Sequence, residues 1–264
     1  MCIRDRRWRD VVQGDAGDCG RLLLVPGPKA TAVLVSVLCD ARDLEDRGRA
    51  ADALGDRDDC PKLVVDALCA SAGAVAALPA ALRLAALRAL RKQAGKYDGS
   101  ARELDAALTA ALDDADHADA RVAAADVVGA TACGGACLKR GLLRLVARDP
   151  SPDVRAACAF NLRPFGTDEA AGRALLGALG DKDVSTRDAA AQSFGGFVDA
   201  PFKRDLARSV AARLRAKPGT LAGGPADAAD CRAYERVVRA AAARALGALR
   251  EDDLAVDALH DALR

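Results

Sequence analysis

Two stretches of the sequence decide the fold: LLRLVARDPSPDVRAACAFNLRPFG (Leu142–Gly166) and LLGALGDKDVSTRDAAAQSFGGF (Leu175–Phe197). Each contains an apolar segment, a turn with aspartate, and a second segment that begins near an arginine. A small residue follows the arginine by three positions, and an apolar residue follows it by seven. Because a helix turns about 100° per residue, these two positions and the one before the arginine share a face. Each stretch is therefore predicted to form a hairpin of two helices.

The same register occurs six times along the chain, at intervals in the thirties except for a longer last interval. The anchor arginines are Arg47, Arg83, Arg121, Arg155, Arg187 and Arg239. The residues three positions later are Ala50, Ala86, Ala124, Cys158, Ala190 and Ala242, and those seven positions later are Leu54, Leu90, Val128, Leu162, Phe194 and Leu246. A single hairpin cannot bury its own apolar face, so repeats of this length stack on one another. The sequence thus predicts an all-α fold, a right-handed α-solenoid (superhelix) of about six helical hairpins.

Glycine follows the apolar residue in four of the copies, as Gly55, Gly129, Gly195 and Gly247. Glycine readily adopts the left-handed conformation that commonly ends a helix. We therefore expect each of these glycines to end the second helix of its hairpin.

The composition is typical of a helical protein of nearly neutral charge. Of the 264 residues, 51% are hydrophobic and only 3% are aromatic, and roughly a quarter of the chain is alanine. Alanine has the highest helix propensity, whereas strands favour the aromatic and β-branched residues that are scarce here. The formal net charge is +1, so the chain lacks the strongly basic balance of many nucleic-acid-binding domains.

The chain is predicted to hold one repeat domain, residues 21–264. Residues 1–20 are interpreted as a disordered or artefactual leader, because the opening MCIRDR (Met1–Arg6) is unlike the rest of the sequence. The longer last interval contains a Pro- and Gly-rich insertion loop at about residues 217–227, which we expect to project from one face. The apolar run Ala30–Cys39 is too short for a membrane helix, which needs about 20 residues, so no membrane span is predicted.

The two central stretches resemble HEAT repeats, and they are most similar to the short HEAT-like repeats of bilin-lyase-related bacterial proteins. In that family, an aspartate in the turn and the arginine that opens the second helix form a ladder between repeats. Asp149 with Arg155, and Asp181 with Arg187, match this pattern. The resemblance implies a repeat fold and, as an alternative function, a bilin-lyase-related enzyme or enzyme subunit that acts on a phycobiliprotein. A shared fold does not by itself imply a shared function.

No motif for catalysis, metal binding or cofactor binding is recognised. The two histidines, His117 and His260, belong to no HxxxH or HExxH pattern, and the chain lacks the His-Glu pairs that HEAT-repeat hydroxylases use. The acidic segment Asp113–Asp119 lacks the central glycine and distant glutamate of a calcium loop. We expect no catalytic residue, no metal and no cofactor, and we attribute the acidic turn to helix capping.

One helix carries a basic stretch with Arg83, Arg88, Arg91 and Lys92. Aromatic residues that would support an extruded base are scarce, and neighbouring repeats carry acidic residues. The stretch is therefore interpreted as a solvated helix face, and no nucleic-acid partner is predicted.

The residues five positions after each anchor arginine point away from the packed face. We call these six residues the +5 row and predict that they line the concave surface and bind a partner: Asp52, Arg88, Asp126, Phe160, Gln192 and Arg244. Their mixed charge favours a protein or peptide, because charges of both signs set the register of an interface. Phe160 is either the anchor of this interface or a core residue that packs into the adjacent repeat.

The cysteines are compatible with an exported protein and with a cytoplasmic one. Without Cys2 the chain has an even number, which in an exported protein suggests a disulfide framework, with Cys133 and Cys137 as a loop-closing pair. In a reducing compartment, cysteine serves as a small core residue. We favour an exported protein over a cytoplasmic one, and the sequence predicts no oligomeric state.

Overall fold

The computed structural model describes residues 27–94, 96, 101–131, 135–215, 228–250 and 252–262. For 101, 228–235, 252, 255, 259, 260 and 262 only the backbone is described. These residues form the α-helices α1 (Pro28–Asp40), α2 (Leu44–Gly55), α3 (Pro61–Gly73), α4 (Ala80–Gln93), α5 (Ala101–Leu112), α6 (Ala118–Thr131), α7 (Ala136–Arg148), α8 (Pro152–Asn161), α9 (Glu169–Ala178), α10 (Val184–Ser193), α11 (Lys203–Leu214), α12 (Ala228–Leu249) and α13 (Asp252–Ala262). Short 3₁₀ turns follow α8 at Arg163–Phe165 and α10 at Phe194–Phe197. No strand occurs in this part of the chain, so the predicted all-α fold is confirmed.

All six anchor arginines lie on the even-numbered helices from α2 to α12, which are the second helices of the hairpins. The residues three positions after each arginine are all fully buried, and those seven positions after are at most 3% exposed. Five of the six residues before the arginines are also buried. The face that the sequence pattern defines is therefore the face that packs. Cys158 takes the place of alanine on it and is equally buried.

The chain divides into two compact units, Met1–Leu138 and Lys139–Arg264. In the first unit, α2 packs against α4 and α4 against α6, while α3 packs against α1 and α5. In the second unit, α10 packs against α8 and α12, and α11 packs against α9 and α13. Within each unit, second helices thus stack on second helices and first helices on first helices, as a solenoid requires. The handedness of the superhelix stays a prediction, and both the leader (1–20) and the insertion loop (217–227) lie outside the described residues.

Aspartates and prolines in the turns begin the helices. The side chain of Asp168 accepts hydrogen bonds from the backbone N–H groups of Ala170 and Ala171, and Asp183 caps α10 in the same way. Pro28, Pro61 and Pro152 occupy the first turn of their helices, where the missing N–H costs nothing. Helix capping therefore explains Asp168 and Asp183.

The prediction that a left-handed glycine ends each second helix is wrong. Gly129 and Gly247 lie inside α6 and α12, and the only glycine with a positive φ in the described ranges is Gly27. After α12, the left-handed position is taken by Arg250, with φ 54°. Gly55 ends α2 for another reason: a Cβ there would lie 3.0 Å from the Cα of Ala89 on α4. Glycine is thus required at position 55 because α2 and α4 pack closely there.

The two 3₁₀ turns of the second unit meet backbone to backbone through glycine. A Cβ on Gly166 would overlap the carbonyl oxygen of Gly196, and a Cβ on Gly196 would overlap that of Arg163. No side chain fits between the turns. These two glycines therefore set how closely the ends of α8 and α10 approach.

Candidate functional site

The +5 row is at the surface of the second helices in both units. Five of its residues are exposed and Asp126 is half-buried. Asp52, Arg88 and Asp126 belong to the first unit, on α2, α4 and α6. Phe160, Gln192 and Arg244 belong to the second unit, on α8, α10 and α12. The structure thus divides the row into two sets of three.

In the second unit, Phe160 is the one phenylalanine among Phe160, Phe194 and Phe197 that is exposed. It is 45% exposed, whereas Phe194 and Phe197 are fully buried. The backbone of Phe160 is held in place, because its carbonyl oxygen accepts a hydrogen bond of 3.2 Å from the hydroxyl of Ser193 on α10. Phe160 is thus partly exposed and partly packed, and its role as an interface anchor stays a prediction. Arg244 of the same set forms an ion pair with Asp188 on α10.

In the first unit, the +5 residues border grooves between neighbouring second helices. Asp52 lines a groove of about 330 Å³ between α2 and α4. Arg88 and Asp126 line a groove of about 230 Å³ between α4 and α6. Across this second groove, Arg91 forms an ion pair with Asp126 at 3.5 Å.

The four residues of the predicted ladder form hydrogen bonds within their own turns and between two successive turns. Arg155 donates two hydrogen bonds to the carboxylate of Asp181, at 2.8 and 2.9 Å, and a third to the carbonyl oxygen of Asp149. Arg187 donates to the carbonyl oxygens of Asp181 and Lys182. The carboxylate of Asp149 accepts the backbone N–H of Ser151. Each arginine therefore donates to the backbone carbonyls of its own turn. Arg155 also binds the carboxylate of Asp181 in the turn of the following hairpin.

The contact between Arg155 and Asp181 shifts the ionisation of both groups. Burial would raise the pKa of Asp181, but the hydrogen bonds from Arg155 and from the backbone N–H of Asp183 outweigh it and hold the pKa below its ordinary value. The hydrogen bond to Asp181 raises the pKa of Arg155. Both groups therefore stay charged at neutral pH.

A second contact of this kind joins Arg83 and Asp114, which sequence reasoning missed. The guanidinium of Arg83 lies 2.5 Å from the carboxylate of Asp114, and both side chains are 2% exposed. Burial would raise the pKa of Asp114, but hydrogen bonds from Arg83 and His117 lower it overall. The repeat pattern relates each arginine to the aspartate of its own turn, but Asp114 lies in the turn of the next hairpin. An aspartate in that following turn is the sequence signal for this pair.

Gln93 is another buried polar residue that the repeat pattern did not indicate. Its side-chain amide donates to the carbonyl oxygens of Leu54, Gly55 and Arg57, at 2.8–2.9 Å. The last carbonyls of a helix have no partner within the helix. Gln93, at the end of α4, therefore caps the end of α2 from the next hairpin.

Most of the basic stretch on α4 is paired with acidic residues. Arg83 is buried against Asp114, Arg91 pairs with Asp126, and Lys92 pairs with Asp56 at 2.9 Å. Only Arg88 of this stretch has no ion pair in the part of the chain that the structure describes. The stretch is therefore not a continuous cationic surface.

No group of three or more His, Cys, Asp or Glu side chains is placed to hold a metal ion within the described ranges. In the acidic segment, Asp114 is engaged with Arg83 and His117. The thiol of Cys69 is buried, which raises its pKa to about 12, so it is protonated at neutral pH. Cys133 and the side chain of His260 lie outside the described residues, and the predicted Cys133–Cys137 pair stays a prediction. None of the described helices is long and apolar enough to cross a bilayer.

No protein-family model matches the sequence, and no curated protein matches it either. Solved structures do match. An archaeal HEAT-like repeats protein from Thermococcus onnurineus NA1 is 14% identical, with a TM-score of 0.56, and the match covers 93% of this chain and 99% of that one. The YibA protein of E. coli is 15% identical, with a TM-score of 0.35, over 90% and 97% of the two chains. Human deoxyhypusine hydroxylase in complex with glycerol is 18% identical, with a TM-score of 0.37, over 98% and 95%.

Of these three structures, the archaeal one is similar enough to support an argument, and at 14% identity the argument concerns the fold. Together with the six confirmed repeats, it identifies this chain as an all-α solenoid with the fold of HEAT-like repeats.

Proposed function

We propose that this protein is a non-catalytic interaction module that binds a protein or peptide through the exposed faces of its second helices. The single observation that supports this most directly is the exposure of Phe160 on α8. The chain has only five phenylalanines, and burying a phenylalanine is worth about 1.5–3 kcal/mol. An aromatic ring held at the surface is therefore available to stabilise a complex.

The charges of the +5 row support a protein or peptide over a polyanion. Asp52, Arg88 and Asp126 alternate in sign along the first unit, and the polar residues Gln192 and Arg244 follow Phe160 in the second. Charges of both signs contribute specificity and register more than affinity. Aromatic residues provide a large share of interface energy, so Phe160 is assigned as the anchor.

The test compares two surface substitutions in the second unit. Phe160→Ala should weaken binding at least tenfold while the variant stays folded, because the residue is 45% exposed. Val184→Ala is the matched control, because Val184 is 54% exposed and lies outside the +5 row. The probes are dodecapeptides selected on the wild-type protein from a random displayed library, and their Kd is measured by fluorescence polarisation. The proposed role of Phe160 is rejected if every selected peptide binds the Phe160→Ala variant as tightly as the wild type.

The insertion loop, residues 217–227, is assigned a secondary role in specificity because insertions in solenoids often lie on the binding face. Replacing it with a glycine-serine linker of equal length should alter which peptides are selected. It should leave the melting temperature of the repeats unchanged.

The alternative function, a bilin-lyase-related enzyme, rests on the sequence resemblance to that group of repeats. Incubation with a bilin and an apo-phycobiliprotein separates the two functions. An interaction module yields no covalent adduct, whereas a lyase transfers the bilin to a cysteine of its substrate.

A further inference from the structure

Phe160 and Arg163 are neighbours at the end of α8. The helical conformation continues beyond Asn161, because the backbone N–H of Leu162 donates to the carbonyl oxygen of Ala159 at 3.3 Å and a 3₁₀ turn follows. Residues three positions apart on a helical turn lie on the same side, next to each other. Both Phe160 and Arg163 are exposed. The surface at this end of α8 therefore combines an aromatic residue with a guanidinium group.

The end of α10 lies against these two residues. The hydroxyl of Ser193 donates to the carbonyl oxygen of Phe160 at 3.2 Å, and a Cβ on Gly196 would lie 2.9 Å from the Cγ of Arg163. Between these two contacts in sequence, a Cβ on Gly195 would meet no atom within 4 Å. The space beside Gly195 is therefore open, and the backbone of a partner can approach closely there.

Arg163 has no ion pair in the part of the chain that the structure describes. Asp188 on α10 is bound by Arg244 of α12. Asp199, in the loop after the 3₁₀ turn that follows α10, is exposed but forms no ion pair with Arg163 among the described residues. Asp153 is exposed on α8 but lies ten residues before Arg163, about 15 Å along a helix. The guanidinium of Arg163 is thus a cation without a paired carboxylate, beside an exposed phenylalanine.

A carboxylate is the group that best complements this guanidinium. Arginine binds a carboxylate through two parallel hydrogen bonds, which add geometric specificity as well as energy. Arginine is also one of the residues that contribute most to the energy of protein interfaces. Nucleic acids, in contrast, gain affinity from contacts between many basic residues and phosphates. One unpaired arginine beside a phenylalanine therefore favours an acidic protein segment over a nucleic acid.

We infer that the second unit binds an acidic protein segment at the ends of α8 and α10. An aspartate or glutamate of the segment pairs with Arg163, and an adjacent apolar side chain covers Phe160. The backbone of the segment passes over Gly195. This inference rests on the proposed function and specifies the chemistry of its partner.

The first test reverses one charge and uses dodecapeptides selected on the wild-type protein. We expect these peptides to contain aspartate or glutamate beside an apolar residue. Arg163→Glu should weaken their binding at least tenfold, because their carboxylate loses its partner and meets a like charge. Arg204→Glu is the matched control and should leave the Kd unchanged, since Arg204 is exposed on α11, a first helix. Peptides in which lysine replaces the acidic residue should bind Arg163→Glu more tightly than they bind the wild type.

The second test fills the open space beside Gly195. Gly195→Leu should weaken binding at least tenfold, because its side chain occupies the path of the segment, while the open space around the Cβ lets the variant fold. Gly177→Leu is the matched control, since Gly177 lies on α9 and a Cβ there also meets no atom within 4 Å. The melting temperature of each variant separates a loss of binding from a loss of folding.

The outcomes separate this inference from the proposed function. If binding depends on Phe160 but is unchanged by Arg163→Glu, the inference is overturned while the proposed function stands. The pairing with Arg163 is also overturned if Arg204→Glu weakens binding equally. If Gly195→Leu leaves the Kd unchanged, the path of the segment is overturned. Tighter binding of a single-stranded DNA dodecamer than of every selected peptide would overturn the assignment to an acidic protein segment. If no peptide is enriched, both the inference and the proposed function are overturned.

Discussion

Gly195 and Gly196 are adjacent in sequence, yet the structure assigns them opposite tolerances for a methyl group. A Cβ on Gly195 meets no atom within 4 Å, whereas a Cβ on Gly196 overlaps the carbonyl oxygen of Arg163. The obstacle is backbone, which cannot move aside by a change of rotamer. The repeat pattern places a glycine at position 195, eight residues after Arg187. The glycine that close packing requires is Gly196.

We predict that Gly196→Ala destabilises the protein by about 1–3 kcal/mol, the usual cost of overpacking. Gly195→Ala should change the free energy of unfolding by less than about 1 kcal/mol. Both values are measured by chemical denaturation. Equal losses for the two variants would show that the turns at Arg163–Phe165 and Phe194–Phe197 do not meet as described.

At the scale of whole elements, polar contacts between successive hairpins join α8 to the turn before α10. Arg155 is 6% exposed and Asp181 is 13% exposed at the side chain. Removing one partner of a buried pair leaves a charge without compensation, which costs about 3–5 kcal/mol. Exposed pairs such as Arg208 with Asp205 contribute about 1 kcal/mol or less.

Asp181→Asn should therefore lower the free energy of unfolding by about 3 kcal/mol at pH 7, the lower end of that range. Because the pKa of Asp181 is lowered in the folded state, its contribution is complete above about pH 4 and is lost as the pH falls through the folded pKa. The loss of stability from pH 5 to pH 3 should thus be smaller in Asp181→Asn than in the wild type. Asp205→Asn is the control, because its ion pair with Arg208 is exposed and should contribute little. The contact between Arg155 and Asp181 is disproved if stability falls as much between pH 5 and pH 3 in Asp181→Asn as in the wild type.

The repeat pattern predicted the packed faces because alanine, leucine and arginine recur at fixed positions of one helix. Ala50, Ala86 and Ala124 are buried for that reason. It did not predict Arg83 with Asp114 or the cap from Gln93, because those contacts join different hairpins, and their sequence separation varies with the turns. The exposure of Phe160 does not follow from the sequence, because helical periodicity places a residue on a face without telling what covers that face.

At the scale of the whole molecule, the repeats should respond locally to substitution. In a solenoid, each repeat contacts only its neighbours. The amide groups that exchange faster in a variant should therefore lie near the altered contact, and distant helices should keep their protection.

Hydrogen exchange tests this with two substitutions, one in each unit. Gly196→Ala should speed exchange in α8 and α10 and leave α2 and α4 unchanged. Gln93→Ala should speed exchange at the end of α2 and in α4, because the carbonyls of Leu54, Gly55 and Arg57 lose their donor. Uniformly faster exchange over both units in either variant would contradict local behaviour.

The pairing of Arg83 with Asp114 also bears on how the protein is synthesised. The aspartate comes 31 residues after the arginine, and a ribosome adds about 5–20 residues per second. For about 2–6 seconds, a nascent chain therefore carries the arginine without its counter-ion. During that interval the second hairpin cannot bury Arg83 without a large penalty. A translation product that stops before residue 114 should consequently remain open to proteases, because its Arg83 has no carboxylate to pair with.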